Sequence, residues 1–261
     1  MKFICLVLIS LCAYGIFTQP CYIPEPDDAP HVITEPLQQL PPSLLPLNFT
    51  WGNVNGTNYL TLVRNQHIPL YCGGCWAFAA TSALSDRIKI ARNAQWPDIN
   101  LAPQVLISCT CNGCNGGSPL TAYEYIYNYS ITDETCSNYQ ARGWTNGLSC
   151  SQYIKCGNCW PGKGCYKQES YYVYTVEQYG QVSGEQNMMN EIYQRGPITC
   201  AIDADPLVNY TSGIINDKSA NYTLNHAVSV VGWGILLNGT KYWIVRNSWG
   251  SYWGEGGFFR I

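Results

Sequence analysis

Asn65-Gln66-His67-Ile68-Pro69-Leu70-Tyr71-Cys72-Gly73-Gly74-Cys75-Trp76-Ala77-Phe78-Ala79-Ala80 changes character halfway along. Its first half holds a Pro and an adjacent Gly pair, the marks of a loop. From Cys75 onward Trp76, Ala79, Ala80, Ala83, Leu84 and Ile88 recur at three- and four-residue spacing, which predicts a helix with one buried face. Cys75 then stands at a helix N-terminus, where free backbone N–H groups and the macrodipole favour negative charge. A thiol there is drawn towards thiolate, the nucleophilic form. A buried structural cysteine is the plainer alternative, but packing alone accounts for neither the glycine pair nor Trp76.

Two more motifs lie far downstream, Leu224-Asn225-His226-Ala227-Val228 and Arg246-Asn247-Ser248-Trp249-Gly250. With Cys72-Gly73-Gly74-Cys75-Trp76 they resemble the papain-like cysteine peptidases, whose signature is Cys-Gly-Ser/Ala-Cys-Trp/Tyr with His and Asn far downstream. Gly74 departs from that signature, though no group that does chemistry is lost. The resemblance covers most of the chain. It implies an α+β, papain-like two-lobe fold, with a helical N-terminal lobe, a strand-rich C-terminal lobe and the active-site cleft between them.

The chain holds three histidines, His31, His67 and His226. A cysteine peptidase needs one imidazole to take the thiol proton and return it to the leaving amine. His67 shares a loop with the nucleophile, whereas His226 introduces a strand and can approach across a cleft. The resemblance implies Cys75 as nucleophile, His226 as base and Asn247 as the group that holds the imidazole in its useful tautomer. It implies that Trp249 covers that contact. Gln66 matches the oxyanion glutamine, whose amide and the Cys75 N–H would together stabilise the oxyanion by roughly 3–4 kcal/mol. Gly116 and Gly117 would let an extended substrate reach the backbone; an ordinary turn accounts for the same glycines.

The 261 residues carry few charges and a net charge of −3, so there is no electrostatic footprint for nucleic acid. Residues 1–15 read as a secretory signal peptide. The apolar run Phe3 to Ala13 follows Lys2 and is too short to span a bilayer, and Ala13 and Gly15 offer a cleavage site. Sequons at Asn48, Asn55, Asn128, Asn209, Asn221 and Asn238 and fourteen cysteines fit the same route. No metal or other cofactor is called for.

Residues 16–44 read as a short propeptide, because Pro20, Pro24, Pro26, Pro30, Pro36, Pro41 and Pro42 repeatedly interrupt regular structure. Residues 45–261 read as the peptidase domain, with Phe49 to Val54 similar to the family's N-terminal strand. Strands are predicted at Ile198–Ile202, Ala227–Val231 and Tyr242–Val245, where β-branched and aromatic residues cluster. Family members continue with further strands beyond the point matched by Ile261, which leaves the completeness of the C-terminal lobe open.

Cys156-x-x-Cys159 and Cys109-x-Cys111-x-x-Cys114 have zinc-like spacing, but a secretory leader favours disulfides. The resemblance implies the pairs Cys72–Cys114, Cys109–Cys150, Cys136–Cys156 and Cys159–Cys165. Cys111 and Cys200 remain, either paired with each other or free. Cys21 stands alone in the propeptide-like segment.

Five residues separate Gln66 from Cys72, where the family commonly has two. The extra Ile68-Pro69-Leu70, behind His67, resembles the cathepsin X (cathepsin Z) subfamily, as does the short propeptide with its one Cys. That subfamily consists mainly of carboxypeptidases which remove one C-terminal residue, and its proenzymes hold the nucleophile through a propeptide Cys, here implying Cys21–Cys75, with Cys111 or Cys200 as the alternative partner of Cys21. His67 would then bind the substrate's terminal carboxylate. The implied partners are peptides or proteins with a free C-terminus, met by a monomer in a lysosome or outside the cell. The alternatives are an endopeptidase of the cathepsin L or B kind and a non-catalytic disulfide-rich binding protein.

Overall fold

Helix-forming Ala and Leu, with no β-branched run, build the central element of the fold. The computed structural model describes residues 21–24, 37–216 and 222–261. The leader, His31, Asn221 and most of the Pro-rich segment lie outside the described residues. In chain order the elements are β1 (Phe49–Thr50), α1 (Cys75–Ala91), α2 (Pro103–Cys109), α3 (Pro119–Tyr129), α4 (Gln152–Lys155), β2 (Gly157–Trp160) and β3 (Gly164–Lys167). They continue with α5 (Glu185–Arg195), β4 (Ile198–Ile202), β5 (His226–Ile235), β6 (Lys241–Arg246) and β7 (Phe258–Arg260).

The helix α1 begins at Cys75 and stops where Asn93 and Ala94 turn left-handed. Its burial corrects the sequence expectation of one apolar face. Every residue from Cys75 to Asp86 is buried, including Thr81, Ser82 and Ser85. The reason is position: α1 packs on α2 and α3 on one side and on β4 and β5 on the other. A helix covered all round carries no single stripe, and its small Ala and Ser residues allow close approach from both sides.

In the first lobe, Trp76 of α1 joins Leu101, Leu106, Ile107, Ile126 and Ile131 in one core. Pro119 opens α3 behind Ser118, whose hydroxyl accepts the Leu120 N–H. Disulfides join Cys72 to Cys114, Cys109 to Cys150, Cys136 to Cys156 and Cys159 to Cys165. The last of these ties the hairpin β2–β3, an element the sequence pattern does not announce. Cys111 and Cys200 are both free thiols.

In the second lobe, β5 is the spine of an antiparallel sheet. It pairs with β4 and β1 along one edge and with β6 on the other, and β6 carries β7. The N-terminal strand is shorter than expected, because only Phe49 and Thr50 reach β5 before the chain turns at Gly52. Strand β5 begins one residue earlier than expected, and His226 pairs with Ile202 at the sheet's end. Ile192, Leu207, Val228, Val230, Val245 and Phe259 form the core beneath the sheet, each large side chain contributing about 1.5–3 kcal/mol by burial.

Several connections among the described residues fix one lobe against the other. Asp86 of α1 meets Arg246 of β6 at 3.1 Å, both side chains buried, and Thr61 donates to the same carboxylate through its N–H and hydroxyl, each at 2.7 Å. Residues 64–66 also lie against 248–250, with the Gln66 N–H donating to Ser248 O at 2.9 Å.

Candidate active site

The site lies where α1 starts and β5 starts. Cys75 Sγ accepts the Ala227 N–H at 3.3 Å across the lobe boundary. Cys75 is bonded to Cys21, and the two sulfurs and a His226 ring nitrogen all lie within 4.8 Å of one another. These sulfurs are joined to each other, so they offer a cation no thiolate. His226 Nδ1 faces Cys21 Sγ at 3.8 Å, and Nε2 lies 2.8 Å from Asn247 Oδ1.

The tautomer follows from the neighbours. Ser248 N–H donates to Asn247 Oδ1 at 2.8 Å, which marks that atom as an acceptor. His226 Nε2 must then carry a proton, and Nδ1 presents its lone pair to the sulfurs. Burial pulls the His226 imidazole down to about 4; the Asn247 contact opposes this and the nearby His67 adds to it. The Trp249 ring tilts over His226 with centroids 5.1 Å apart and is braced edge-on by Trp253 at 5.3 Å.

Gln66 is buried, with its amide held from two sides. Ser248 Oγ donates to Oε1 at 2.6 Å, so Nε2 turns the other way, where it donates to Cys72 O at 3.0 Å and faces Cys21 Sγ at 3.7 Å. The Cys75 N–H donates to that same sulfur at 3.1 Å. Cys21 Sγ therefore stands in for an oxyanion between two converging donors. Tyr139 supports the loop from behind, its hydroxyl donating to Gln66 O at 2.6 Å; burial pushes this phenol above its ordinary range.

The backbone next to Cys21 uses Gly117. Gly117 N–H donates to Cys21 O at 3.0 Å and Gly117 O accepts the Ile23 N–H at 2.9 Å, a parallel bridge centred on Tyr22. A β-carbon on Gly117 would come within 2.4 Å of Asn112 Nδ2 and 2.8 Å of the Trp76 ring, so only glycine fits. Gly116 precedes it at φ 94° without a bridge to this segment. On the other side Asn225 O accepts both the Cys21 and Tyr22 N–H groups.

His67 sits apart from this cluster. It stacks on Tyr71 with centroids 4.7 Å apart and lies 6.5 Å from the Trp249 ring. Its Nδ1 is buried without a hydrogen-bond partner among the described residues, and burial lowers its pKa. Ile68 and Leu70 project to solvent, 60% and 54% exposed. Among the sequons, Asn48, Asn55, Asn128, Asn209 and Asn238 are exposed.

Sequence reasoning missed Ser248, Tyr139 and Asn225. Ser248 and Asn225 lie inside the quoted motifs, so their places were visible but not their tasks. Tyr139 gave no signal, because its contact depends on how the loop after α3 folds back.

Comparison with known proteins bears on the same residues. The family described as "Papain family cysteine protease" matches residues 45–261. Cathepsin Z of Onchocerca volvulus is 49% identical over 220 residues, covering 83% of this chain and 70% of that protein. The viral cathepsin of Choristoneura fumiferana nuclear polyhedrosis virus is 35% identical over 224 residues, covering 85% of this chain and 60% of its own length. Among solved structures, digestive procathepsin L2 from Tenebrio molitor larval midgut superposes with a TM-score of 0.66 at 29% identity, covering 83% of this chain and 62% of that one. The two-lobe arrangement described above is thus papain-like, and the chain spans about three fifths of the latter two relatives.

Proposed function

This chain belongs to the papain family of cysteine proteases, and we propose that it is a carboxypeptidase made as a latched proenzyme. Residues 1–15 serve as its leader, 16–44 as its propeptide and 45–261 as the peptidase domain. Its route is the secretory pathway, towards a lysosome or the cell exterior; the disulfides fit that route. No helix of the described residues is long and apolar enough to cross a membrane.

The observation that carries the catalytic part is the convergence of the Cys75 N–H and Gln66 Nε2 on Cys21 Sγ, 3.8 Å from His226 Nδ1. Once the Cys21–Cys75 bond is reduced, the Cys75 thiol passes its proton to His226 Nδ1. The thiolate attacks the scissile carbonyl carbon, and the carbonyl oxygen takes the negative charge at the place Cys21 Sγ now fills. Collapse breaks the C–N bond, and the leaving amine takes the proton back from His226. Water then hydrolyses the thioester, with His226 again accepting a proton. Asn247 holds the ring in the tautomer this requires, under the cover of Trp249. Substrate backbone pairs with Gly117, as the propeptide does, and Gly116 shapes the same turn.

The carboxypeptidase part rests on the resemblance of Ile68-Pro69-Leu70 to the cathepsin X insertion and on the unpartnered His67 Nδ1 near Trp249. A C-terminal carboxylate supplies the partner that nitrogen lacks. The test is mass spectrometry of products from one peptide with a free or an amidated C-terminus. Loss of single residues from the free form alone is the expected result. Equal internal cleavage of both forms replaces this reading with the endopeptidase one.

A further inference from the structure

A cavity of about 410 Å³ opens on the second lobe, away from the residues that surround Cys75. Its lining includes Phe49, Tyr193, Trp233 and Tyr242, and of the three asparagines on its wall, Asn48, Asn53 and Asn55, the first and last are sequon asparagines. The aromatic surface is continuous: the Phe49 ring lies 4.9 Å from Tyr193 and 5.1 Å from Trp233. Among the described residues no Asp, Glu, Lys or Arg lines it, while the Arg260 guanidinium lies over the Tyr242 ring at 5.7 Å from its centroid.

Asn48 is held ready in this wall. Its Oδ1 accepts the Ile235 N–H at 2.9 Å, which leaves Nδ2, the atom a glycan attaches to, without a competing role in that contact. Tyr242 stands beside it. A β-carbon on Gly234 would meet both the Tyr242 hydroxyl at 2.3 Å and Asn48 Oδ1 at 2.8 Å, so the two side chains share the space that glycine vacates. Asn55 occupies the tip of a tight turn at φ 52°, exposed to solvent.

We propose that this groove is the seat of an N-linked glycan carried by Asn48, whose first sugars lie against the rings of Tyr242 and Phe49. Sugar rings present C–H edges that pack on aromatic faces, while their hydroxyls stay in water; an uncharged, open, aromatic groove suits that double character. Attachment takes the sugar from a lipid-linked pyrophosphate donor: the anomeric C–O bond to pyrophosphate breaks as the Nδ2–C bond forms, the lipid pyrophosphate leaves, one Nδ2 proton passes to solvent, and Oδ1 keeps its bond to Ile235. The glycan then fastens the short strand β1, which has only two residues paired to β5, to the sheet beside it.

The inference rests on the secretory reading of the chain, and its test separates the two. The full chain is produced in eukaryotic secretory cells, and glycopeptides are mapped at every sequon. Tm is then measured for wild type, Asn48→Gln, Tyr242→Ala and the double variant, with Asn128→Gln as a control on α3. Occupied Asn48 and a Tm drop of about 2–4 °C for Asn48→Gln, largely absent in the Tyr242→Ala background, is the expected result. Occupancy at any other sequon with Asn48 bare overturns the groove alone. The same Tm drop with and without Tyr242 also overturns it. Bare sequons throughout overturn both the groove and the secretory route.

Discussion

Cys21 Sγ accepts the backbone N–H of Cys75 at 3.1 Å while bonded to the Cys75 side chain. One sulfur of the N-terminal segment thereby holds the Cys75 side chain and takes up the Cys75 N–H, which under the proposed function are the nucleophile and a donor of the oxyanion site. Under the proenzyme reading, a proline-rich strip has little surface with which to block a cleft by packing, and the Cys21–Cys75 bond supplies the block instead. Wild-type proenzyme is expected to resist a thiol-directed epoxide until reductant is added, whereas Cys21→Ser reacts at Cys75 without it. Labelling that is equally fast in both proteins would remove the latch.

Gln66 and Ser248 act as a pair. The Ser248 hydroxyl fixes which end of the Gln66 amide faces the oxyanion position. Gln66→Ala should lower kcat/KM by about 10²–10³ with little change in KM, the usual cost of one oxyanion donor. Ser248→Ala should show the same kcat-dominated pattern at roughly tenfold, since it loosens the donor without removing it. A Ser248→Ala enzyme changed only in KM contradicts this.

The latched form should weaken in acid. His226 is held near 4 by burial, below its ordinary 6.5. Between these values the unfolded chain binds the proton that the folded chain refuses, so stability falls as pH drops from about 6.5 to about 4 and levels off below. The span corresponds to ~3 kcal/mol. Burial shifts His67 in the same direction. Denaturant titrations of the unreduced proenzyme from pH 7 to pH 4 measure the slope, and His226→Gln should remove most of it. An unchanged slope in that variant assigns the acid sensitivity elsewhere.

Asp86 and Arg246 should be worth more to remove singly than together. Both are buried, and burial pushes the Asp86 carboxyl up while Arg246 and Thr61 oppose that shift. Arg246→Met leaves a carboxylate with only the Thr61 donors and is expected to cost about 3–5 kcal/mol. The pair Asp86→Leu with Arg246→Met should recover much of it. Chemical denaturation of the three proteins decides the matter, and additive losses would show that the pair is not coupled.

The two-lobe fold was legible because three motifs kept their order over most of the chain and because β5 is a long apolar run. What escaped came from tertiary context. The all-round burial of α1 depends on a second lobe that no periodicity within residues 75–91 can announce. The hairpin β2–β3 is imposed by Cys159–Cys165 on residues that are largely exposed. The site's residue types could be read from their motifs, yet the pairing of Ser248 with Gln66 could not, because 182 residues separate them. Tyr139 was invisible for the same reason, reaching Gln66 from 73 residues away.

His67 offers the sharpest division between exopeptidase and endopeptidase. It stacks on Tyr71, and its buried Nδ1 has no hydrogen-bond partner among the described residues. Burial lowers its pKa, so the empty site holds a neutral imidazole at pH 7. A substrate carboxylate arriving beside it favours the charged form and draws a proton in with it. Preference for a free over an amidated C-terminus should therefore grow as pH falls below 6.5 and fade above it. Under the carboxypeptidase reading, His67→Ala flattens that pH dependence and raises KM for free C-termini by about 10-fold, roughly 1.4 kcal/mol. The kcat for bonds already seated changes little, since Cys75 and His226 remain. Measuring kcat and KM separately for a matched free and amidated peptide at pH 4.5, 5.5 and 6.5 tests this. A preference that survives His67→Ala with its pH profile intact places carboxylate recognition on another group.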